Sequence, residues 1–317
     1  MQTNTTIVKG LENSNSALDF VWLELTNRCN LKCVHCYAES SPSAGDGDIL
    51  SEKDYLSLIN QVFDLGCRKI QFIGGEPTLN KSLPGLIKAA AVKNFEVIEV
   101  FTNLTRLPDQ LLDVFCRYNV SIATSFYSYD PQIHDDITRQ KGSFERTVTN
   151  MKRILDSGLE LRAAIIEMEQ NKEDLSKTWE FLEDMGVKNI GKDHIRSIGR
   201  ADSDNCSDMG QLCGNCAGDI LSIGPDGTVA PCIMSKKWSV GSVLETPLSN
   251  LVQSEKLFNV RQQIADAMPE EFTAQCTPCA PNSPNCQPNC SPSASCTPCS
   301  PNGGHKCAPN LWCRPAK

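Results

Sequence analysis

Short apolar runs alternate with helix-length amphipathic stretches along this chain from residue 21 onward. Residues 21–26 predict a first strand, and a loop carrying three cysteines follows it directly. Ser51, with Asp54 three positions on, predicts a capped helix start. The helix it opens carries Tyr55, Leu58, Ile59, Val62 and Phe63 on one face, and Gly66 is placed to end it. Further strands are predicted over 69–73, 97–101, 120–125, 159–166 and 187–191. Helices are predicted between them over 83–93, from Pro108 to 118, from Ser143 to 156, and over 175–185.

Strands that alternate with helices of this length pair in parallel, because each return to the sheet needs a crossover. Periodicity alone fits an open doubly wound sheet or a partly closed barrel. Either form places chemistry at the C-terminal ends of the strands. The cysteine loop, the turn Gly74-Gly75-Glu76-Pro77, the pair Thr102-Asn103 and Ser125 all fall there.

Beyond residue 202 the pattern changes. A hairpin is predicted from strands at 220–223 and 228–230 around Pro225-Asp226-Gly227, and a helix within 248–267. From Cys276 the chain is mostly Cys, Pro, Asn and Ser, which bury too little to fold without cross-links or metal. Cys276-Thr277-Pro278-Cys279 recurs as Cys296-Thr297-Pro298-Cys299. Three segments are expected: a polar N-terminus over 1–19, a core domain over 20–202, and a cysteine-rich domain over 203–317.

Composition sharpens this picture. The chain has 317 residues, 40% hydrophobic and 21% charged, with a formal net charge of −8. An acidic balance makes nucleic acid an unsuitable general partner. No apolar run is long enough for a membrane span. The first twenty residues lack the apolar core of a signal peptide, so a cytoplasmic location is expected. Seventeen cysteines in a chain without an export signal point to metal ligation rather than disulfides.

Cys29, Cys33 and Cys36 place three thiolates on one loop. A cubane [4Fe–4S] cluster normally takes four, so three leave one iron able to bind another molecule. A zinc site completed by His35 or a remote cysteine is the plainer reading of the loop alone.

The Cys-x3-Cys-x2-Cys loop after the first strand, with Gly74-Gly75-Glu76-Pro77 after the second, resembles the radical S-adenosylmethionine superfamily. The fold class that goes with it is α/β, a partial (β/α)6 TIM-like barrel with a small cysteine-rich C-terminal domain. The resemblance covers roughly residues 20–200. It implies that the cofactor chelates the fourth iron through its amino and carboxylate groups, and that an electron from the cluster yields a 5′-deoxyadenosyl radical. It also implies that Gly74, Gly75, Glu76 and Pro77 contact the cofactor amino group. Thr102 and Asn103 occupy the place of a Thr-Asn pair seen in the family. Ser125 resembles a ribose or carboxylate contact, and Arg139 an arginine that pairs with the cofactor carboxylate. A turn residue or surface charge is the alternative for each of these four. Ile198-Gly199-Arg200 resembles a family element near strand six.

The last third resembles the SPASM type of auxiliary-cluster domain, with an x6 between Cys279 and Cys286 where x5 is usual. The resemblance implies one auxiliary [4Fe–4S] cluster on Cys213, Cys216, Cys232 and Cys290. A second would sit on Cys276, Cys279 and Cys286, completed by Cys307, with Cys296, Cys299 and Cys313 as other candidates. A tail of two zinc knots is the alternative. Cys67 and Cys116 read as core or strand-end residues in a small-hydrophobe role.

The expected function is a radical enzyme that takes hydrogen from a substrate C–H, first in peptide or protein modification. Dehydrogenation or epimerisation of a cyclitol or aminosugar is the alternative, and a non-enzymatic metal-binding protein a remote one. Expected partners are the peptide or small-molecule substrate, a flavodoxin- or ferredoxin-type electron donor, and a stand-alone leader-peptide-binding protein.

Overall fold

The structure is a computed structural model that describes residues 18–202 and 208–268. Its elements run β1 (Phe20–Glu24), α1 (Glu52–Asp64), β2 (Lys69–Ile73), α2 (Leu83–Val92), β3 (Val97–Phe101) and α3 (Asp109–Arg117). They continue as β4 (Ser121–Phe126), α4 (Pro131–Thr138), α5 (Ser143–Asp156), β5 (Leu161–Glu167), α6 (Leu175–Asp184) and β6 (Asn189–His194). The C-terminal elements are β7 (Ile220–Ile223), β8 (Thr228–Ala230), β9 (Gly241–Ser242), α7 (Leu248–Val252) and α8 (Glu255–Asp266). No helix among the described residues is long and apolar enough to cross a membrane.

Strands β1 to β6 pair in parallel in chain order, from β1 beside β2 to β5 beside β6. Among the described residues β6 is not paired back to β1, which is the unclosed (β/α)6 barrel expected. All five residues of β1 are buried, because helices cover one face and the barrel interior the other. Trp22, Gln71 and Glu99 share one register row across β1, β2 and β3. Below the cavity Arg162 reaches across from β5 to grip Glu99, Nε to Oε2 at 2.7 Å and Nη2 to Oε1 at 2.8 Å. Gln71 donates to the same carboxylate. This buried polar floor ties β2, β3 and β5 together.

Several boundaries differ from the sequence reading. The sixth strand runs over Asn189–His194 rather than 187–191: Val187 is drawn into the core, and the polar edge strand begins after it. Helix α4 was not expected. Its sequence is too polar to show an apolar period, but Asp130 caps it by accepting from the N–H groups of Gln132 and Ile133. The helix expected within 248–267 is broken at Gln253 because Ser254 caps a second one, accepting from Leu257 N–H. The capping box at Ser51 and Asp54 forms as predicted.

The hairpin β7–β8 forms where the turn residues predicted it. It does not stand apart from the barrel. Strand β7 pairs in parallel with β1, with Val21 opposite Leu221, so the sheet continues as β1-β7-β8-β9. Pairing of this kind occupies the β1 edge, which an unclosed barrel would leave bare.

Candidate functional site

The loop after β1 is held from three sides. On the first, Gly75 N–H donates to Thr26 O at 2.7 Å and Glu76 N–H to Arg28 O at 2.9 Å. A Cβ on Gly75 would lie 2.3 Å from Arg28 O, so a side chain there would expel the loop. These glycines therefore admit the loop backbone closely, a role not foreseen for them. On the second side, Lys32 and Val34 donate to the carbonyls of Thr138 and Ile137 at the end of α4. On the third, Arg200 donates to Cys33 O and, at 2.7 Å, to Ser40 O, and its own N–H donates to Cys36 O at 3.0 Å. Gly199, at φ +61°, lies where a Cβ would be 2.3 Å from Tyr37 O.

With the backbone so held, the side chains of Cys29, Cys33 and Cys36 all reach one cavity of about 190 Å³ at the strand ends. Burial pushes the Cys29 and Cys33 thiols up to about 12. Such thiols are inert nucleophiles and need a cation to ionise. Among the described residues no three His, Cys, Asp or Glu side chains gather closely enough to hold a single metal ion. Three thiol-bearing residues lining one cavity suit a cluster that offers a separate iron to each.

Three residues that line the cavity carry buried polar atoms without partners among the described residues: Trp22 Nε1, His35 Nδ1 and His134 Nε2. Orphaned polar atoms at a cavity wall are satisfied when a ligand enters. Thiols, orphaned atoms and mostly apolar walls fit an iron–sulfur cluster with a nucleoside-sized ligand.

Of the remaining expected cofactor contacts, Gly74, Gly75, Asn103 and Ser125 line the cavity. Glu76 is buried beneath it. Its carboxylate accepts from Thr102 Oγ1 at 2.7 Å, Asn103 N–H at 2.8 Å and Thr78 N–H at 3.1 Å. Burial pushes this carboxyl above its usual range against those donors. Glu76 and Thr102 thus set the turn that presents Asn103, whose Nδ2 donates to Asn30 Oδ1 at 2.9 Å and lies 3.7 Å from Cys29 Sγ. Pro77 opens the buried turn behind them. Arg139 is not brought to the cavity: it is exposed, in left-handed conformation, at the end of α4.

Sequence reading missed Tyr127, whose hydroxyl lies 4.0 Å from Cys33 Sγ, and His134. It also missed the Asp193–Arg196 ion pair of 2.9 Å at the cavity rim. Ile198-Gly199-Arg200, which resembles a family element near strand six, grips the cysteine loop through contacts that no spacing announces. Trp22 was readable: it faces the interior two positions before Glu24.

A second, smaller cavity lies beside the first, lined by Cys213, Cys216 and Cys232 with Leu212, Ile233 and Met234. Cys216 Sγ and Cys232 Sγ are 2.8 Å apart. Neighbouring Cys213 and Cys232, then burial, push the Cys216 thiol well above its usual value. Ser235 locks the Cys232 turn, accepting from Cys232 N–H at 2.8 Å and donating to Cys232 O at 3.0 Å. Trp22 lines both cavities. Cys276, Cys279, Cys286, Cys290 and Cys307 lie outside the described residues.

The Radical SAM superfamily model matches residues 23–182, and the SPASM iron–sulfur cluster-binding domain model matches 212–280. The chain belongs to the radical SAM superfamily. Membership implies a [4Fe–4S] cluster and S-adenosylmethionine as cofactors, and the second match implies auxiliary iron–sulfur clusters.

Among curated proteins the chain is similar to the antilisterial bacteriocin subtilosin biosynthesis protein AlbA of Bacillus subtilis (strain 168). The two are 30% identical over 179 residues, 56% of this chain and 39% of that protein. It is also similar to the Fe-coproporphyrin III synthase of Methanosarcina barkeri, 28% identical over 57% of this chain and 44% of that protein. A third relative is the sporulation killing factor maturation protein SkfB of Bacillus subtilis, 27% identical over 56% and 43%. The matched region thus spans less than half the length of each. Among solved structures the fold resembles that of Streptococcus suis SuiB bound to S-adenosylmethionine. That likeness has a TM-score of 0.65 at 13% identity and covers 77% of this chain and 68% of that one.

Proposed function

We propose that this protein matures a ribosomally made peptide by taking a hydrogen atom from one of its C–H bonds. The observation that carries the chemistry is the convergence of Cys29, Cys33 and Cys36 on one cavity with mostly apolar walls. The peptide class draws its support from AlbA and SkfB, both named for making or maturing peptides.

In this reading Cys29, Cys33 and Cys36 hold three irons of a [4Fe–4S] cluster. When bound, the cluster and S-adenosylmethionine supply a carbon radical able to abstract hydrogen. Asn103 and Ser125 offer polar contacts to the cofactor, while Glu76 holds Asn103 in place. Trp22, Ile73, Phe101 and Ile166 give the cavity apolar walls. Cys213, Cys216 and Cys232 contribute to an auxiliary cluster, with a ligand from the tail, and a flavodoxin- or ferredoxin-type protein supplies electrons.

The test is anaerobic reconstitution with iron, sulfide, reductant and S-adenosylmethionine, followed by co-expression with a short peptide encoded nearby. Formation of 5′-deoxyadenosine, abolished by Cys29→Ala, Cys33→Ala or Cys36→Ala, is expected, together with a changed peptide mass. Undiminished 5′-deoxyadenosine in the triple variant would overturn the site. An unchanged peptide mass with active cofactor cleavage would move the substrate to a small molecule.

A further inference from the structure

Helix α4 brings His134 against the cavity, 2% exposed and enclosed by the rings of Phe126, Tyr127 and Phe144 at 5.1, 5.3 and 5.7 Å. Its two nitrogens have different surroundings. Nδ1 faces Ser143 Oγ at 3.1 Å. Ser143 Oγ in turn donates to Asp135 Oδ1 at 2.8 Å. Thr138 Oγ1 is a further neighbour of this hydroxyl at 2.7 Å. With its proton on the carboxylate, Ser143 offers only lone pairs to both, an arrangement in which Nδ1 carries the proton that Ser143 accepts. Nε2 is then the lone-pair nitrogen. It is buried and has no partner among the described residues.

Asp135 is fixed for this task. Its carboxylate also accepts from Phe144 N–H at 2.9 Å and from Gly142 N–H at the start of α5. Burial tends to raise its pKa, but these hydrogen bonds outweigh it and keep the group ionised. Burial pushes His134 down to about 4, so its imidazole stays neutral near pH 7. The outcome is a fixed, uncharged acceptor on a residue that lines the cavity shared by Cys29, Cys33 and Cys36.

We infer that His134 Nε2 accepts a hydrogen bond from the nucleoside half of bound S-adenosylmethionine, with Ser143 and Asp135 as positioning residues. The chemistry of the cofactor selects that half. Its amino group is its sole methionine-side donor, and in the superfamily that group binds iron. The donors left are the ribose hydroxyls and the adenine amine. The inference is independent of the substrate class.

The test uses cluster-loaded protein labelled with 15N-histidine and no reductant, so the cofactor stays intact. The chain has four histidines, and His134 is identified by the resonances lost in His134→Asn. Before ligand, His134 should show a protonated Nδ1 and a lone-pair Nε2. Saturating S-adenosylmethionine should shift the Nε2 resonance upfield, while methionine alone should leave it in place. In parallel, His134→Phe should weaken S-adenosylmethionine binding about tenfold in equilibrium dialysis, the loss of one hydrogen bond. Ser143→Ala should mix the His134 tautomers. An Nε2 resonance unmoved by saturating S-adenosylmethionine, or moved equally by methionine alone, overturns the assignment. That reading comes from the wild type and needs no variant to fold. An unmixed tautomer in Ser143→Ala overturns the positioning role.

Discussion

The ammonium of Lys236 lies 2.7 Å from Glu24 Oε2, joining the segment after Cys232 to the end of the strand that leads to Cys29. Glu24 is fully buried, and its other oxygen accepts from Ser222 Oγ at 3.0 Å. One pair thus links the loops that carry both groups of thiols.

Lys236→Met leaves that carboxylate buried with a single hydroxyl partner. Removing one member of a buried pair costs several kcal/mol. Lys236 is half-exposed, so solvent screening reduces the expected loss to about 2 kcal/mol. Burial holds the Glu24 pKa above its ordinary value even with Lys236 present. A raised carboxyl contributes stability that is full below its unfolded value and is lost as pH rises through the folded one. Without Lys236 the folded value rises further, so the gap between variant and wild type should widen from pH 5 to pH 8 in urea titrations. A gap independent of pH would show that the pair carries no charge.

Gly199→Ala forces a Cβ into the carbonyl of Tyr37 at a positive φ. A penalty of about 1–3 kcal/mol is expected, concentrated on the cysteine loop. Iron content after reconstitution should fall, with the auxiliary signal retained, in Mössbauer spectra. Full iron occupancy on Cys29, Cys33 and Cys36 would show that the loop can move without losing its ligands.

Glu76→Gln replaces one acceptor oxygen by an NH2 that faces protein donors. The variant should lose about 1–3 kcal/mol from an unsatisfied buried group. Asn103 should lose its fixed position, weakening S-adenosylmethionine binding, while Thr102→Val should weaken it less, because Glu76 keeps its backbone donors at Asn103 and Thr78. Equal binding in wild type and Glu76→Gln would contradict the positioning of Asn103 by this carboxylate.

His134 sets an acid limit. Its value is pushed from 6.5 down to about 4, so the neutral form is the one the fold prefers. Its contribution is complete above pH 6.5 and is lost as pH falls toward 4, at about 1.4 kcal/mol per pH unit. His134→Phe should show a shallower loss of stability between pH 7 and pH 5 in denaturant titrations. Parallel curves would place the acid sensitivity elsewhere.

The barrel was legible because its strands are short, apolar and regularly punctuated, and because Ser51 and Gly66 mark helix ends locally. The three-cysteine loop was legible from spacing. What stayed hidden depends on contacts far apart in the chain. Glu76 reads as a carboxylate beside a glycine turn, and only the approach of Thr102 and Asn103 shows that its oxygens are engaged within the protein. Arg200 is 167 positions from Cys33, and nothing local in the sequence links them. The β7–β1 pairing was equally invisible, since an apolar run does not state which edge it will join. Helix α4 escaped because its stability comes from Asp130 and from packing, not from a periodic stripe.

Trp22 forms part of the walls of both thiol-lined chambers. Arg196, Ile233 and Met234 share that double position, so the partition between the chambers is made of side chains common to both. Neither chamber can be reshaped at position 22 without reshaping its neighbour, and variation there is constrained by two tenants at once.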